Sequence, residues 1–254
     1  MSAVRVVATH EGQVLRVTLA RPKANVLDAE MVGQIRAMAA STVAAGPLKL
    51  IVFAGEGRHF SFGAAVDEHL PGKVARMIGE FGEMFREIEA LGVPTAAVVR
   101  GQCLGGGFEL ATGAGRVFCD ATAHFALPEV VLGVFPPVAA VMLPWRVRGP
   151  DAARLMIGGR GVDGPEAVRI GLADVLAEDP ELALEEWFEH ELAPHSAVAI
   201  RMAWQALRRP IRRALDVDLP AVEQLYLQDL MACRDPAEGL HAFLDKRSPH
   251  WEHR

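Results

Sequence analysis

The sequence predicts an α/β fold with parallel strands, followed by a helical tail. Two observations carry this. Short apolar runs of β type at Ile51–Ala54, Thr95–Val99 and Val117–Cys119 are separated by helical patterns. Strand–helix alternation with long crossovers builds parallel sheets. After about residue 190 the pattern turns wholly helical. We therefore divide the chain into a core, 1–190, and a helical region, 191–254. Three short helices cannot form a large core alone, so that region must pack on the core or on a neighbouring subunit.

The elements follow in order. Val4–Ala8 and Val14–Leu19 flank Glu11-Gly12 and predict a hairpin. Asp28 is placed to cap a helix over Ala29–Ala45, ended by Gly46-Pro47. Val66–Ala90 mixes Gly72, Gly79 and Gly82 with Met77, Phe81, Met84, Phe85 and Ile88. That helical spacing predicts a core stripe. The tail carries apolar stripes over Val198–Arg209, Leu219–Ala232 and Pro236–Lys246. Arg208, Arg209, Arg212 and Arg213 form a basic cluster, expected on a solvated or inter-subunit helix face.

The chemistry centres on Gly105-Gly106-Gly107-Phe108-Glu109. Three glycines let backbone approach a ligand where a side chain would block it. A helix starting there aims unpaired N–H groups at whatever lies in front. Glu109, in the first turn, sets a carboxylate beside that anion hole, which points to a carbonyl whose oxygen becomes negative in the transition state. The phosphate-loop and dinucleotide glycine patterns are both absent here. Twenty residues on, Glu129 stands in the apolar run Phe125–Gly133. Desolvation there raises a carboxyl pKa, and two such groups can divide acid and base work. The small-residue loop Gly57–Ala65 follows a buried-type strand and can supply a second N–H donor.

Phe60–Ala64, Gly105–Leu110 and Pro128–Gly133, in this order and spacing, resemble the signature blocks of the enoyl-CoA hydratase/isomerase (crotonase) superfamily. The resemblance covers nearly the whole chain. It implies a crotonase-like spiral of repeated ββα units with a C-terminal helical extension that serves oligomerisation. It assigns the oxyanion-hole N–H groups to Ala64 and Gly106, flanked by Gly63 and Gly105, and the two catalytic carboxylates to Glu109 and Glu129. Lys23, Ala24 and Val26, in Arg21–Leu27, match positions that line the CoA moiety. Lys246, in Glu238–Arg247, matches one that reaches CoA phosphate, and Leu227 stands where an aromatic is common.

Retention of both glutamates favours hydration or dehydration of an α,β-unsaturated acyl-CoA. A double-bond isomerase and a non-catalytic CoA-ester-binding relative are the alternatives. Coenzyme A is then part of the substrate, with no separate cofactor and no metal. The resemblance also implies a homotrimer, often paired into a hexamer.

Two departures bear on the acyl group. The family's glycine-rich run after the second glutamate is here Phe135-Pro136-Pro137-Val138-Ala139-Ala140, and the usual Asp after the first donor is Ala65. The bulkier wall, with Phe135 against the acyl group, is expected to shorten the tunnel. Phe60–Pro71, Arg100–Leu104 and Gly133–Pro137 look closer to the branch of the family that hydrates cyclic dienoyl-CoA thioesters.

Composition bounds the rest. No uninterrupted apolar run of about 18 residues occurs, so a membrane span is not expected. No signal peptide is evident in the first residues. Cys103, Cys119 and Cys233 are widely spaced, without a metal pattern, and read as reduced thiols of a cytoplasmic protein. A net charge of −6 argues against general nucleic-acid binding. His59 and His69 flank the first donor loop within reach of substrate, though loop histidines are more often solvated. His124 reads as structural.

Overall fold

The computed structural model describes residues 2–21 and 23–254. The main sheet has the order β1-β2-β3-β4-β6-β9. Here β1 is Val4–Thr9, β2 Val14–Leu19, β3 Leu50–Gly55, β4 Thr95–Val99, β6 Arg116–Cys119 and β9 Val175–Leu176. The β1–β2 pair is the antiparallel hairpin the sequence predicts, and the following pairings are parallel. A second sheet orders β5 (Gln102–Leu104), β7 (His124–Ala126) and β8 (Val162–Asp163). From β4 to β7 the chain alternates between sheets: β4, β5, the helix α3 (Gly106–Gly113), β6, β7. That alternation is the spiral.

Both faces of the main sheet are covered, so β3 and most of β4 and β6 are apolar. Ile51, Phe53, Ala97, Val99, Val117 and Cys119 face the principal core. Leu50, Val52, Ala54, Ala96, Val98 and Phe118 face Leu184 and Phe188, at the end of α7 (Pro180–Trp187) and just beyond it. The register pairs Phe53 with Ala97 and Ala97 with Val117, so large and small side chains meet on one face.

α1 spans Ala29–Ser41, and Asp28 caps it by accepting a hydrogen bond from the Met31 N–H at 3.0 Å. It ends four residues before the expected Ala45. The Thr42 backbone turns extended, and its Oγ1 donates to the Met38 carbonyl at 2.7 Å. That hydroxyl closes the last turn before Gly46 is reached. α2 is Val74–Ala90, with Phe81, Met84, Phe85 and Ile88 buried as the stripe predicts.

The tail departs from expectation more. The sequence separates helices at 209 and 219, yet α8 runs unbroken from Ala197 to Gln224 through Pro210 and Pro220. Both prolines are exposed, so carbonyls they leave unpaired can take water. A π-helical turn, Leu225–Leu230, extends α8, and α9 (Asp235–Leu244) follows.

α8 packs on α2 and on α4 (Pro137–Met142) within the chain, and α9 packs against the short 3-10 turns Val66–His69 and Pro128–Leu132. Gly82 permits the first contact, since a Cβ there would collide with the Glu223 carboxyl of α8. Arg208 is buried rather than solvated. It pairs with Glu89 at 2.8 Å and donates to the Gly113 carbonyl at 2.9 Å, while Arg209, Arg212 and Arg213 are exposed. No helix among the described residues is long and apolar enough to cross a membrane.

Candidate active site

Three segments lie side by side and form the floor of the site. The Ser61 N–H donates to the Gln102 carbonyl and the Leu104 N–H to the Ser61 carbonyl, both at 3.0 Å, so Phe60–Ser61 runs along β5. On the other side the Phe62 N–H donates to Ala24 and the Leu27 N–H to Gly63, both at 2.9 Å. The two donor loops therefore meet, which their separation in sequence could not establish.

Two buried polar side chains lock this arrangement, and the sequence reading gave neither a role. Ser61 Oγ donates to the Asn25 carbonyl at 2.7 Å and accepts from the Gly63 N–H at 3.0 Å. Asn25 Nδ2 donates to the carbonyls of Glu56 and His59 at 3.1 and 2.9 Å. Asn25 Oδ1 is buried without a partner among the described residues, but these four bonds tie the loop down. A Ser and an Asn inside signature segments were the available signal.

Each glycine of the run serves a different neighbour. Gly105 has φ 50° and ψ −124°, open to glycine and few others, and a Cβ there would lie 2.6 Å from Glu129 Oε1. A Cβ on Gly106 would lie 2.9 Å from Phe81 Cζ and 3.3 Å from the Ala64 nitrogen. A Cβ on Gly107 would lie 2.5 Å from Ser61 Cβ. Gly63, at φ 90°, would put a Cβ 2.8 Å from the Leu104 carbonyl oxygen and 3.3 Å from the Gly106 nitrogen. Ala64 and Gly106 are thus neighbours. Gly106 opens α3, where an N–H has no intrahelical partner.

Glu109 and Glu129 converge beside this pair of loops. Glu109, in the first turn of α3, is only 4% exposed. Its Oε1 accepts from the Ala139 N–H, in the first turn of α4, at 2.7 Å. Burial first, and the Glu129 carboxylate second, push its pKa well above the ordinary carboxylate range, against the Ala139 and Val138 N–H groups. Glu129 stands in the turn Pro128–Leu132, with Oε1 over Gly105 and Oε2 buried without a hydrogen-bond partner among the described residues. Burial raises its pKa to about 7. Burial thus favours the neutral form of both carboxyls.

The Phe135–Ala140 stretch joins an apolar cluster and opens a helix. Val134 and Phe135 join an apolar cluster with Val74, Ile78 and Leu227. Pro137 then starts α4, whose Ala139 N–H anchors Glu109. Lys23, Ala24 and Val26 lie on the segment that flanks Phe60–Ala64, with Lys23 exposed at φ 75°. Lys246 is exposed just past α9 at φ 55°. His59 is structural, its Nδ1 accepting from the Gln102 N–H at 3.1 Å. The His69 ring bonds the Ala65 carbonyl at 3.0 Å, and burial lowers its pKa.

This fold and this pairing of donor loops with carboxyls define a class. A profile of the enoyl-CoA hydratase/isomerase family matches residues 9–254, and the chain belongs to that family. Among individual relatives, it is 45% identical over 253 residues to a cyclohexa-1,5-dienecarbonyl-CoA hydratase of Thauera aromatica, covering all of this chain and 98% of that one. It is 30% identical to a 2,3-dehydroadipyl-CoA hydratase of Escherichia coli, covering 98% of each chain. The crystal structure of an enoyl-CoA hydratase from Mycobacterium avium superposes with a TM-score of 0.87 at 25% identity, over 99% of each chain.

Proposed function

We propose that this enoyl-CoA hydratase acts on a cyclic dienoyl-CoA, with Ala64 and Gly106 as oxyanion donors and Glu109 and Glu129 as the proton-transfer pair. The observation that carries the chemistry is two carboxyls of raised pKa beside two adjacent backbone donors. The thioester oxygen lies between the Ala64 and Gly106 N–H groups. As water adds to the unsaturated carbon, charge accumulates on that oxygen, and each donor contributes on the order of a 100–1000-fold rate effect.

The carboxyl pair balances the step. Its ionised member accepts a proton from the attacking water, whose oxygen bonds to carbon. Its protonated member delivers a proton to the carbon next to the thioester. The sum is addition of one water, with the pair again holding one proton. Glu109 is the better proton holder, because burial and Glu129 both favour its neutral form. CoA would run past the Lys23–Val26 segment toward the surface.

The ring preference is supported by the 45% identical relative and by the apolar cluster around Phe135 and Val134. A compact ring suits a short apolar chamber, and each methylene that fails to fit costs about 1–3 kcal/mol in discrimination. Competition among cyclohexa-1,5-dienecarbonyl-CoA, crotonyl-CoA and a long-chain enoyl-CoA in heavy-oxygen water tests the proposal. We expect label incorporation and the highest kcat/KM for the ring. Faster turnover of the long chain would remove the ring assignment, and turnover without label would indicate isomerisation.

A further inference from the structure

Tyr226 is the only tyrosine of the chain, and the chemistry above leaves it without a task. It projects from the π-helical turn after α8 and is fully buried. Its ring packs with Val74 and Ile78 of α2, with Val134 and with Leu240 of α9. It meets the Phe135 ring edge-on, with centroids 5.2 Å apart.

Its hydroxyl has no hydrogen-bond partner among the described residues. A buried phenol normally finds one, and an unpaired one costs stability. Phenylalanine would fill the same space without that cost. Glu129 Oε2, six residues before Phe135, is likewise buried and unpartnered. Burial raises the phenol pKa, and the carboxylates of Glu129 and Glu109 raise it further. The hydroxyl therefore lies within the field of both carboxyls and keeps its proton, so it can serve as a donor.

We infer that the Tyr226 hydroxyl donates a hydrogen bond to the oxygen that adds to the substrate, holding it with Glu129 as water and then as the product hydroxyl. This rests on the hydratase reading. The phenol keeps its proton throughout, so the proton balance of the pair is unchanged. It also gives the C-terminal region a share in the catalytic chamber, because Tyr226 reaches it from beyond α8.

The test is Tyr226→Phe, which keeps the ring and removes only the hydroxyl. Calorimetry would compare the binding of each enantiomer of 3-hydroxybutyryl-CoA with that of butyryl-CoA, which has no hydroxyl. We expect affinity for one hydroxyacyl enantiomer to fall roughly five- to tenfold, the worth of one hydrogen bond. Affinity for butyryl-CoA should stay within about twofold by the same argument. The kcat for crotonyl-CoA hydration should fall by roughly tenfold or more with KM held, and the thermal midpoint should stay level or rise.

Equal affinities for all three thioesters before and after the substitution would overturn the inference. So would an equal loss for all of them, which marks a packing role. If the wild-type protein hydrates no enoyl-CoA, the activity reading fails, while the hydroxyacyl-against-acyl comparison still decides Tyr226.

Discussion

Replacing Glu129 by Gln should raise stability and lower activity in the same molecule, with a pH dependence that identifies the cause. In the fold this carboxyl titrates near 7, against a model-compound value of 4.5, because it is buried. Its folded pKa is raised, so the native state holds the proton more tightly than the unfolded chain. Stability is then lost as pH rises from 4.5 to about 7 and stays lost above. At about 1.4 kcal/mol per pH unit, the ionised carboxylate costs the native state roughly 3 kcal/mol. Glutamine is neutral, like the protonated acid, and removes that cost. At pH 8 the variant should be about 3 kcal/mol more stable and melt roughly 6–12 °C higher at fixed protein concentration. Below pH 4.5 the two proteins should melt together. Hydration should fall at least about 100-fold at every pH, with thioester binding largely kept. Urea titrations at pH 4, 6 and 8 beside kinetic assays measure both. A stability difference independent of pH, or none at pH 8, would refute the buried-charge argument, and near-wild-type turnover would refute the catalytic role.

Glu109→Gln should lower turnover by a comparable factor, roughly 100-fold or more, in the same assays. Gly106→Pro removes an N–H outright and should abolish turnover while thioester binding to a folded protein is still measurable; an active, folded variant would exclude that donor. Gly106→Ala keeps the N–H, but its Cβ would lie 2.9 Å from Phe81 Cζ and 3.3 Å from the Ala64 nitrogen, so kcat should fall while Gly33→Ala, with open space around it, should be silent. Arg208→Ala strands Glu89 in the interior and should cost about 3–5 kcal/mol in chemical denaturation; the paired change Arg208→Met with Glu89→Met should recover most of that loss.

The strands and the site glutamates were legible because their signals are local. Leu50–Gly55 and, after Thr95, Ala96–Val99 are apolar at every position, the mark of strands covered on both faces. The glycine run shows that backbone must come close to something, and Glu109 follows within one helical turn. What was not legible is long-range. The three-residue β5 and two-residue β8 are too short for any period to show. The division of labour among Gly105, Gly106 and Gly107 depends on Glu129, Phe81 and Ser61, which come from separate parts of the chain. The continuity of α8 through two prolines depends on which side of the helix faces water, and a proline reads as a break before that side is known. The sequence places Pro136-Pro137 in a stiff wall, yet Pro137 also opens the helix turn that holds Glu109.

The carboxyls of the site are set unlike the buried charged groups elsewhere. Elsewhere buried charge is matched: Arg208 has Glu89, and Arg201 donates to the Leu48 carbonyl at 2.6 Å. Around Glu129 it is not, since Oε2 is buried without a partner and the two carboxyls raise each other's cost. A fold shaped only by stability would place glutamine or an apolar residue there, as the pH-dependent gain expected for Glu129→Gln makes explicit. The extensive apolar core around the main sheet offsets that penalty. A carboxyl brought near 7 in this way is both a competent base and a competent acid at neutral pH, which a well-solvated glutamate is not. In the proposed function the instability and the chemistry have one cause, desolvation of Glu109 and Glu129 beside the Gly105–Gly107 turn. Any change that rehydrates that corner should give back stability as it removes catalysis.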